Sequence, residues 1–364
     1  MKFDKMFLKS LNLINYKNFK NKSFKFNSKV NCFIGLNGIG KTNILDAIYH
    51  LSFCKSYFNP ISTQNIMHGE DFFVIDGTYE FDDKEHKIGV SIKKGSKKII
   101  KRNGKKYKRF SDHIGLLPLV IISPTDTNLI SEGSEIRRKF IDGVISQVDK
   151  SYLNNLMRYN RSLSQRNTLL KHFKITNTFN SETIEIYNHQ MNELGSNIHL
   201  KRRKFVEEFK PLFLDKYNVI SNNNEKVELC YKSQLTKNNF KDLLKTSISR
   251  DRDLQYTSVG IHKDDFEFKI QNFPIKKFGS QGQQKSFLIA LKMAQFEILK
   301  NAIGRKPILL LDDIFDKLDS YRVQHIIEIV KSSNFGQIFI TDTNEIRTEK
   351  VIESSYESYQ IFRL

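Results

Sequence analysis

The chain has 364 residues, 39% hydrophobic and 27% charged, with a formal net charge of +19 and a pI of about 9.6. Two domains are expected at this length, and the hydrophobic share suffices for a packed core. No apolar run reaches the length of a membrane span, and Met1-Lys2-Phe3-Asp4 lacks a signal-peptide core, so a cytoplasmic protein with no membrane partner is expected. Cys32, Cys54 and Cys230 are scattered, with no C-x-x-C pair, which argues against structural zinc and suits a reducing compartment. The basic excess favours polyanionic partners. A Lys-, Asn- and Ile-rich composition from an AT-rich genome would also produce it, so clustering is the better guide.

In chain order, Phe7 to Leu13 and Ser23 to Phe26 read as strands leading to Val30–Ile34, a short buried strand. Gly35-Leu36-Asn37-Gly38-Ile39-Gly40-Lys41-Thr42 follows and fits the P-loop pattern G-x-x-x-x-G-K-[ST]. Ile44, Leu45, Ala47, Ile48 and Leu51 then recur at helical spacing. Strand, glycine loop and helix together make a phosphate site. The glycines let backbone N–H groups turn inward, and the helix N-terminus adds its dipole. Lys41 can bridge β- and γ-phosphates and the Thr42 hydroxyl can hold Mg²⁺, so ATP and Mg²⁺ are the expected cofactors.

Ser52 to Phe58 reads as a loop. Phe72 to Tyr79, Lys87 to Ile92 and Ile99 to Arg109 form an antiparallel set, with Asn103-Gly104 as a hairpin turn. From Lys93 to Arg109 there are ten Lys or Arg and no acid. This is either an edge strand protected by lysines or a hairpin that contacts phosphates. Leu119–Ile122 is a short buried strand running into the turn Ser123-Pro124-Thr125-Asp126. Glu132 to Gln147, Tyr152 to Phe173 and Ser181 to Tyr217 are helical, with basic patches at Arg158, Arg161, Arg166, Lys171 and Lys201-Arg202-Arg203-Lys204. Val227 to Tyr231 is a strand and Phe240 to Ser249 a helix. Residues 151–250 lack sustained heptads and read as an inserted helical lobe, leaving 1–150 and 251–364 for the nucleotide-binding lobe. Ser280 to Ala302 is a helix, Pro307–Leu311 a strand, Asp319 to Ser332 a helix and Gln337–Ile340 a strand.

Hydrolysis needs a carboxylate site besides the P-loop. Asp312-Asp313 ends a buried strand, expected beside the P-loop strand and 270 residues beyond Thr42. Asp312 suits the Mg²⁺ shell, the Walker B role, and Asp313 suits polarising the attacking water. Ser280, Gly282 and Gln283 at a helix N-terminus resemble the signature of ABC-type ATPases, in which Ser and Gly of one subunit meet the γ-phosphate held by the other. That implies an ATP-dependent homodimer. Phe315-Asp316-Lys317-Leu318-Asp319 resembles the D-loop of that class, and Thr341 or Asp342 occupies its switch position, where the usual histidine is absent. The fold class is therefore α/β, an ABC-type P-loop ATPase head with an inserted, mainly helical second lobe and no long coiled coil. His262 reads as structural or phosphate-proximal rather than catalytic. Asp264-Asp265 is the candidate for an additional metal site.

Further motifs carry a closer likeness. Leu11-Asn12-Leu13-Ile14-Asn15-Tyr16-Lys17-Asn18-Phe19, Ile122-Ser123-Pro124-Thr125-Asp126, Arg137-Arg138-Lys139-Phe140-Ile141-Asp142, Arg166-Asn167, Arg250-Asp251-Arg252-Asp253 and Gly260-Ile261-His262-Lys263-Asp264-Asp265 together resemble the RecF family of bacterial recombination and gap-repair ATPases, with Ile261 where that family usually has Pro. The resemblance implies a weak ATPase that dimerises on ATP at DNA, with preference for double-stranded DNA beside single-stranded gaps. It implies partnership with RecR and RecO, leading to RecA loading and SOS induction. The alternatives are a nuclease-associated ATPase of the same superfamily and the ATPase subunit of a transporter.

Overall fold

The computed structural model describes residues 4–313, 335–345 and 358–364. The expected D-loop and the helix from Asp319 to Ser332 lie outside the described residues. The strands, in chain order, are β1 (Phe7–Tyr16), β2 (Phe19–Lys25), β3 (Val30–Ile34), β4 (Phe72–Phe81), β5 (Lys84–Lys93), β6 (Ile99–Arg102), β7 (Lys105–Lys106), β8 (Leu119–Ile122), β9 (Val227–Lys232), β10 (Asp265–Ile270), β11 (Phe273–Pro274), β12 (Ile308–Asp312), β13 (Ile338–Asp342) and β14 (Tyr359–Arg363). The helices are α1 (Lys41–Phe53), α2 (Asn128–Ser131), α3 (Ser134–Val148), α4 (Lys150–Thr176), α5 (Ser181–Ser221), α6 (Phe240–Thr246), α7 (Ile248–Leu254), α8 (Ile275–Phe278) and α9 (Gln281–Ile303).

One compact unit comprises Met1–Asp126, Val219–Asn222 and Lys285–Leu364. It holds an antiparallel sheet ordered β2-β1-β4-β5-β6-β7 and a parallel sheet ordered β14-β3-β13-β12-β8. The parallel strands β3, β8, β12 and β13 are buried throughout, as crossover sheets require, whereas β4 and β5 largely alternate. Helix α1 packs against β4 and β5 of one sheet and β8, β12 and β13 of the other. It is consequently buried on nearly every face, with Ile44, Leu45, Ile48 and Leu51 as its apolar contacts and Asp46 and His50 among its buried polar ones. Gln337 joins the sheets: its amide accepts from Leu8 N–H at 2.7 Å and donates to the carbonyls of Leu8 and Asn27.

At one edge, Asn103 (φ 49°) and Gly104 (φ 79°) make the two-residue turn that the Asn-Gly pair predicts. The register sets Lys101 opposite Lys106 and Arg102 opposite Lys105.

The second unit comprises Thr127–Asn218 and Asn223–Gln284. This unit reaches beyond the expected lobe limits of 151 and 250 on both sides. Helix α3 binds to β10 through Arg137, which clamps Asp265 at 2.8 and 3.0 Å, and Arg138, which donates to the Asp264 carbonyl at 2.6 Å. These contacts join residues 127–150 to residues 251–284 within the second unit. The small antiparallel sheet is ordered β11-β10-β9. The single helix expected over 240–249 is two, α6 and α7, meeting at Ser247. Strands β10 and β14 have no counterpart among the elements expected from sequence.

Candidate nucleotide site

Strand β3 delivers the glycine loop from the carboxyl edge of the parallel sheet, where α/β folds bind ligands. Gly38 (φ 82°) and Gly40 (φ 113°) occupy left-handed conformations. A Cβ at Gly40 would also stand 2.5 Å from the Asn18 side chain and 2.8 Å from Phe19. Asn18, on the turn between β1 and β2, donates to the Ile39 carbonyl and accepts from Asn43, both at 2.8 Å, and so buttresses the loop from outside. Lys41 is buried, and its Nζ donates to the carbonyls of Gly35 (2.6 Å) and Leu36 (2.9 Å). The ammonium therefore lies against the loop whose helix it starts.

The Walker B strand is not beside the P-loop strand, as the sequence led us to expect: β13 runs between β3 and β12. This insertion brings Thr341, paired in register with Asp312, into the site. Asp312 Oδ1 accepts from Thr42 Oγ1 at 2.9 Å and Thr341 Oγ1 at 2.8 Å, and Ser123 Oγ lies 3.5 Å from Oδ2. Burial, opposed by the hydroxyls of Thr341, Thr42 and Ser123 but reinforced by the neighbouring Asp313 charge, raises the Asp312 carboxyl above the usual range. Asp313 adopts a left-handed backbone (φ 47°), and its N–H donates to Thr341 Oγ1 at 3.1 Å. Of the two switch candidates, Thr341 lines the site, while Asp342 turns to cap the N–H groups of Thr343 (2.7 Å) and Asn344 (3.0 Å).

A cleft of about 170 Å³ is lined by Asn37, Gly38, Gly40, Lys41, Thr42, Asn43, Asp312, Asp313 and Thr341. Glycine N–H groups and an ammonium at one wall suit phosphate oxygens, and a buried carboxylate at the other suits a cation. The donor set fits Mg²⁺: Thr42 and Asp312 present hard oxygens 2.9 Å apart, and the contacts of Asp312 are hydroxyls rather than a cationic side chain.

The signature residues fall in the second unit. Ser280 N–H donates to Gln283 Oε1 at 2.8 Å, and Gln283 N–H donates to Ser280 Oγ at 3.2 Å, a reciprocal capping box at the start of α9. The cap uses a lone pair of the Ser280 hydroxyl and not its proton. Gln283 also donates to Glu225 at 3.0 Å, and Gly282 immediately precedes it in the first turn of α9.

The remaining motif residues build a buried polar frame within the second unit. Arg166 bonds Asn188 (2.8 Å), Asp251 (2.7 Å) and Thr257 (2.8 Å). Arg202 bonds Asp142 (2.9 Å) and Asp264 (2.8 Å). These two arginines, basic patches by periodicity alone, are interior. His262 bonds the Tyr159 hydroxyl (2.8 Å) and the Thr257 carbonyl (3.0 Å), and burial lowers its pKa to about 4. It is a neutral structural histidine. Asp264 and Asp265 are both engaged by arginine, and among the described residues no group of three or more His, Cys, Asp or Glu is set to hold a metal. Also among them, no helix is long and apolar enough to cross a membrane.

Three residues near the site have places that the sequence did not assign: Ser123, Asp126 and Lys292. The turn Ser123-Pro124-Thr125-Asp126 was the visible signal; Lys292 sits in an apolar helix and gave none.

Residues 7–362 match the family described as RecF/RecN/SMC N terminal domain. The chain is 57% identical over 359 residues to the DNA replication and repair protein RecF of Flavobacterium johnsoniae, covering 99% of this chain and 100% of the relative. The protein of that name from Phocaeicola vulgatus is 49% identical, with 98% and 96% covered. A solved structure of the recombination mediator protein RecF-ATP in the RecFOR pathway superimposes with a TM-score of 0.88 at 33% identity, covering 98% of this chain and 95% of that one. An Smc head domain from Pyrococcus furiosus, 16% identical, matches with a TM-score of 0.56 over 97% and 92%, a likeness of fold. Matched along nearly its whole length in sequence and in fold, this chain belongs to the RecF family and has the head fold of an ABC-type ATPase.

Proposed function

We propose that this chain is an ATP-dependent DNA-binding protein of recombinational gap repair and replication restart. ATP with Mg²⁺ binds at Gly35 to Thr42 and Asp312, and Asp313 serves as general base. Ser280, Gly282 and Gln283 of a second copy complete the site, so ATP joins a homodimer. The dimer marks junctions of single- and double-stranded DNA, works with RecR and RecO in the cytoplasm, and helps load RecA, with SOS induction as a consequence. Its hydrolysis is weak, DNA-stimulated and resetting, because Asp313 is a short base on a turn.

The observation that carries this is the contact of Thr42 with Asp312 at 2.9 Å across 270 residues of sequence. It is the arrangement that a metal-bridged triphosphate needs. Relatives named for DNA replication and repair, and the RecF-ATP structure of the RecFOR pathway, support the DNA and ATP parts. The basic hairpin supports them too. Lys97, Lys101, Lys105 and Lys106 are exposed, while Lys98 donates to the Cys54 carbonyl and Arg102 contacts His86. Like charges facing each other across β6 and β7 oppose the bare hairpin and are relieved by phosphates.

The test is sedimentation and DNA retention with and without ATP. Lys41→Ala abolishes ATP-dependent dimerisation and retention; a variant that keeps both sinks the proposal. Neutralising Lys97, Lys101, Lys105 and Lys106 reduces the slope of log affinity against log salt by about 0.9 for each phosphate that the hairpin had neutralised. An unchanged slope removes the hairpin from the DNA surface.

A further inference from the structure

The turn after β8 is held by an ion pair that the nucleotide chemistry does not itself require. Asp126 accepts the Ser123 N–H at 2.8 Å, the Tyr57 hydroxyl, and Lys292 Nζ at 2.6 Å. Both partners of the ion pair are interior, with side chains 4% exposed. The Lys292 ammonium also lies 5.7 Å from the Tyr57 ring centroid. Tyr57 continues the chain of contacts, its N–H donating to Asp46 Oδ1 at 2.7 Å, and Asp46 lies on α1 one turn beyond Thr42. Asp46 is itself buried and receives Tyr16 (2.7 Å), Ser56 (2.6 Å) and Lys17 (2.6 Å). At the other end, Ser123 Oγ faces Asp312 Oδ2 at 3.5 Å.

A buried ion pair contributes little net stability over an apolar pair of the same volume, because desolvation offsets the attraction. It does fix direction. Here it fixes a four-residue turn whose first hydroxyl faces the carboxylate oxygen that Thr42 and Thr341 leave to it. Lys292 comes from α9, twelve residues beyond Ser280, on the helix that the signature opens.

We propose that Asp126 and Lys292 are positioning residues for the metal-binding carboxylate Asp312, acting through Ser123, and that they make the Mg²⁺ affinity of the site depend on α9. This rests on the nucleotide reading above. It goes beyond it in assigning roles to a turn and a helix residue that touch neither phosphate nor metal.

The test uses the full chain, a fluorescent ATP analogue titrated with Mg²⁺, and thermal unfolding. Ser123→Ala raises the half-saturating Mg²⁺ about tenfold, as loss of an outer support does, with an unchanged melting temperature. Lys292→Met leaves the buried Asp126 charge without its ammonium partner, so it lowers both stability and Mg²⁺ affinity. Adding Asp126→Asn to Lys292→Met recovers most of the melting temperature and none of the Mg²⁺ affinity, whereas Lys292→Arg recovers both. Wild-type Mg²⁺ dependence in Ser123→Ala and in the double variant overturns the proposal and leaves the nucleotide site intact. A wild type that does not bind the analogue overturns the nucleotide reading, whereas one that binds it without Mg²⁺ dependence overturns this proposal alone.

Discussion

Two Asp-Asp pairs stand at strand ends in this protein, and their surroundings differ. Asp312-Asp313 closes β12, and Asp264-Asp265 opens β10. Around Asp312 the contacts are the hydroxyls of Thr42, Thr341 and Ser123. Around the other pair guanidinium groups are present as well: Arg202 at 2.8 Å from Asp264, beside the Tyr231 hydroxyl at 2.6 Å, and Arg137 forked on Asp265 at 2.8 and 3.0 Å. Hydroxyls orient a carboxylate without neutralising it, so a cation still gains from binding there. A carboxylate already matched by arginine offers that cation little. Burial raises the carboxyl pKa at both Asp312 and Asp264, so burial alone does not separate a site from a frame. The partner chemistry does.

The sharpest way to break this contrast is to neutralise one aspartate of each pair. Asp312→Asn lowers ATP hydrolysis about a thousandfold. It leaves the urea midpoint equal to or above wild type, because it removes a buried charge. Asp264→Asn does the reverse, keeping nucleotide binding while costing roughly 3 kcal/mol in urea unfolding as Arg202 loses a partner. If the two phenotypes are exchanged, the contrast is wrong. Of comparable size, Arg166→Met strands the buried Asp251 and costs roughly 3–5 kcal/mol without changing ATP affinity.

Acid stability sharpens the comparison further. Burial lowers the pKa of His50, on α1, to about 3, and neither of its ring nitrogens has a hydrogen-bond partner; His262 in the second unit is lowered to about 4 with both nitrogens bonded. Each folded value lies below that of the unfolded chain. Each neutral histidine therefore contributes fully above about pH 6.5, and its share falls by about 1.4 kcal/mol per pH unit below that. The loss ends near pH 4 for His262 and near pH 3 for His50. His50→Phe flattens the fall in melting temperature between pH 7 and 5; an unaltered slope would locate the acid sensitivity elsewhere. The smallest effect is expected at Thr341. Thr341→Ser keeps hydrolysis within a few-fold, and Thr341→Val, which lacks the hydroxyl shared by Asp312 and the Asp313 N–H, costs about 1–3 kcal/mol in transition-state stabilisation.

Much of the nucleotide-binding unit was legible in the chain. The P-loop is a local pattern of glycines, lysine and threonine, and the apolar runs at Val30–Ile34 and Ile308–Leu311 fit strands buried on both faces. The Asn103-Gly104 turn was equally local. Strand order was not legible, because parallel strands carry no mark of their neighbours; β13 between β3 and β12 emerges only on folding. The extent of the second compact unit was not legible for a related reason. Helical periodicity marks where α4 and α5 lie, but the ion pairs joining α3 to β10 connect residues 128 positions apart.

By itself the sequence determined that this protein has a phosphate loop, a paired carboxylate at a strand end and a basic hairpin, since each is written in consecutive residues with local backbone demands. Tertiary structure decided what each charged group is for. Arg166 and Arg202 read as basic surface and are interior; Asp264 reads as a ligand and is a strut; Lys292 reads as nothing and holds the turn that faces Asp312. The physical reason is that a charge takes its role from what surrounds it, and in this chain those surroundings are assembled from residues tens to hundreds of positions away.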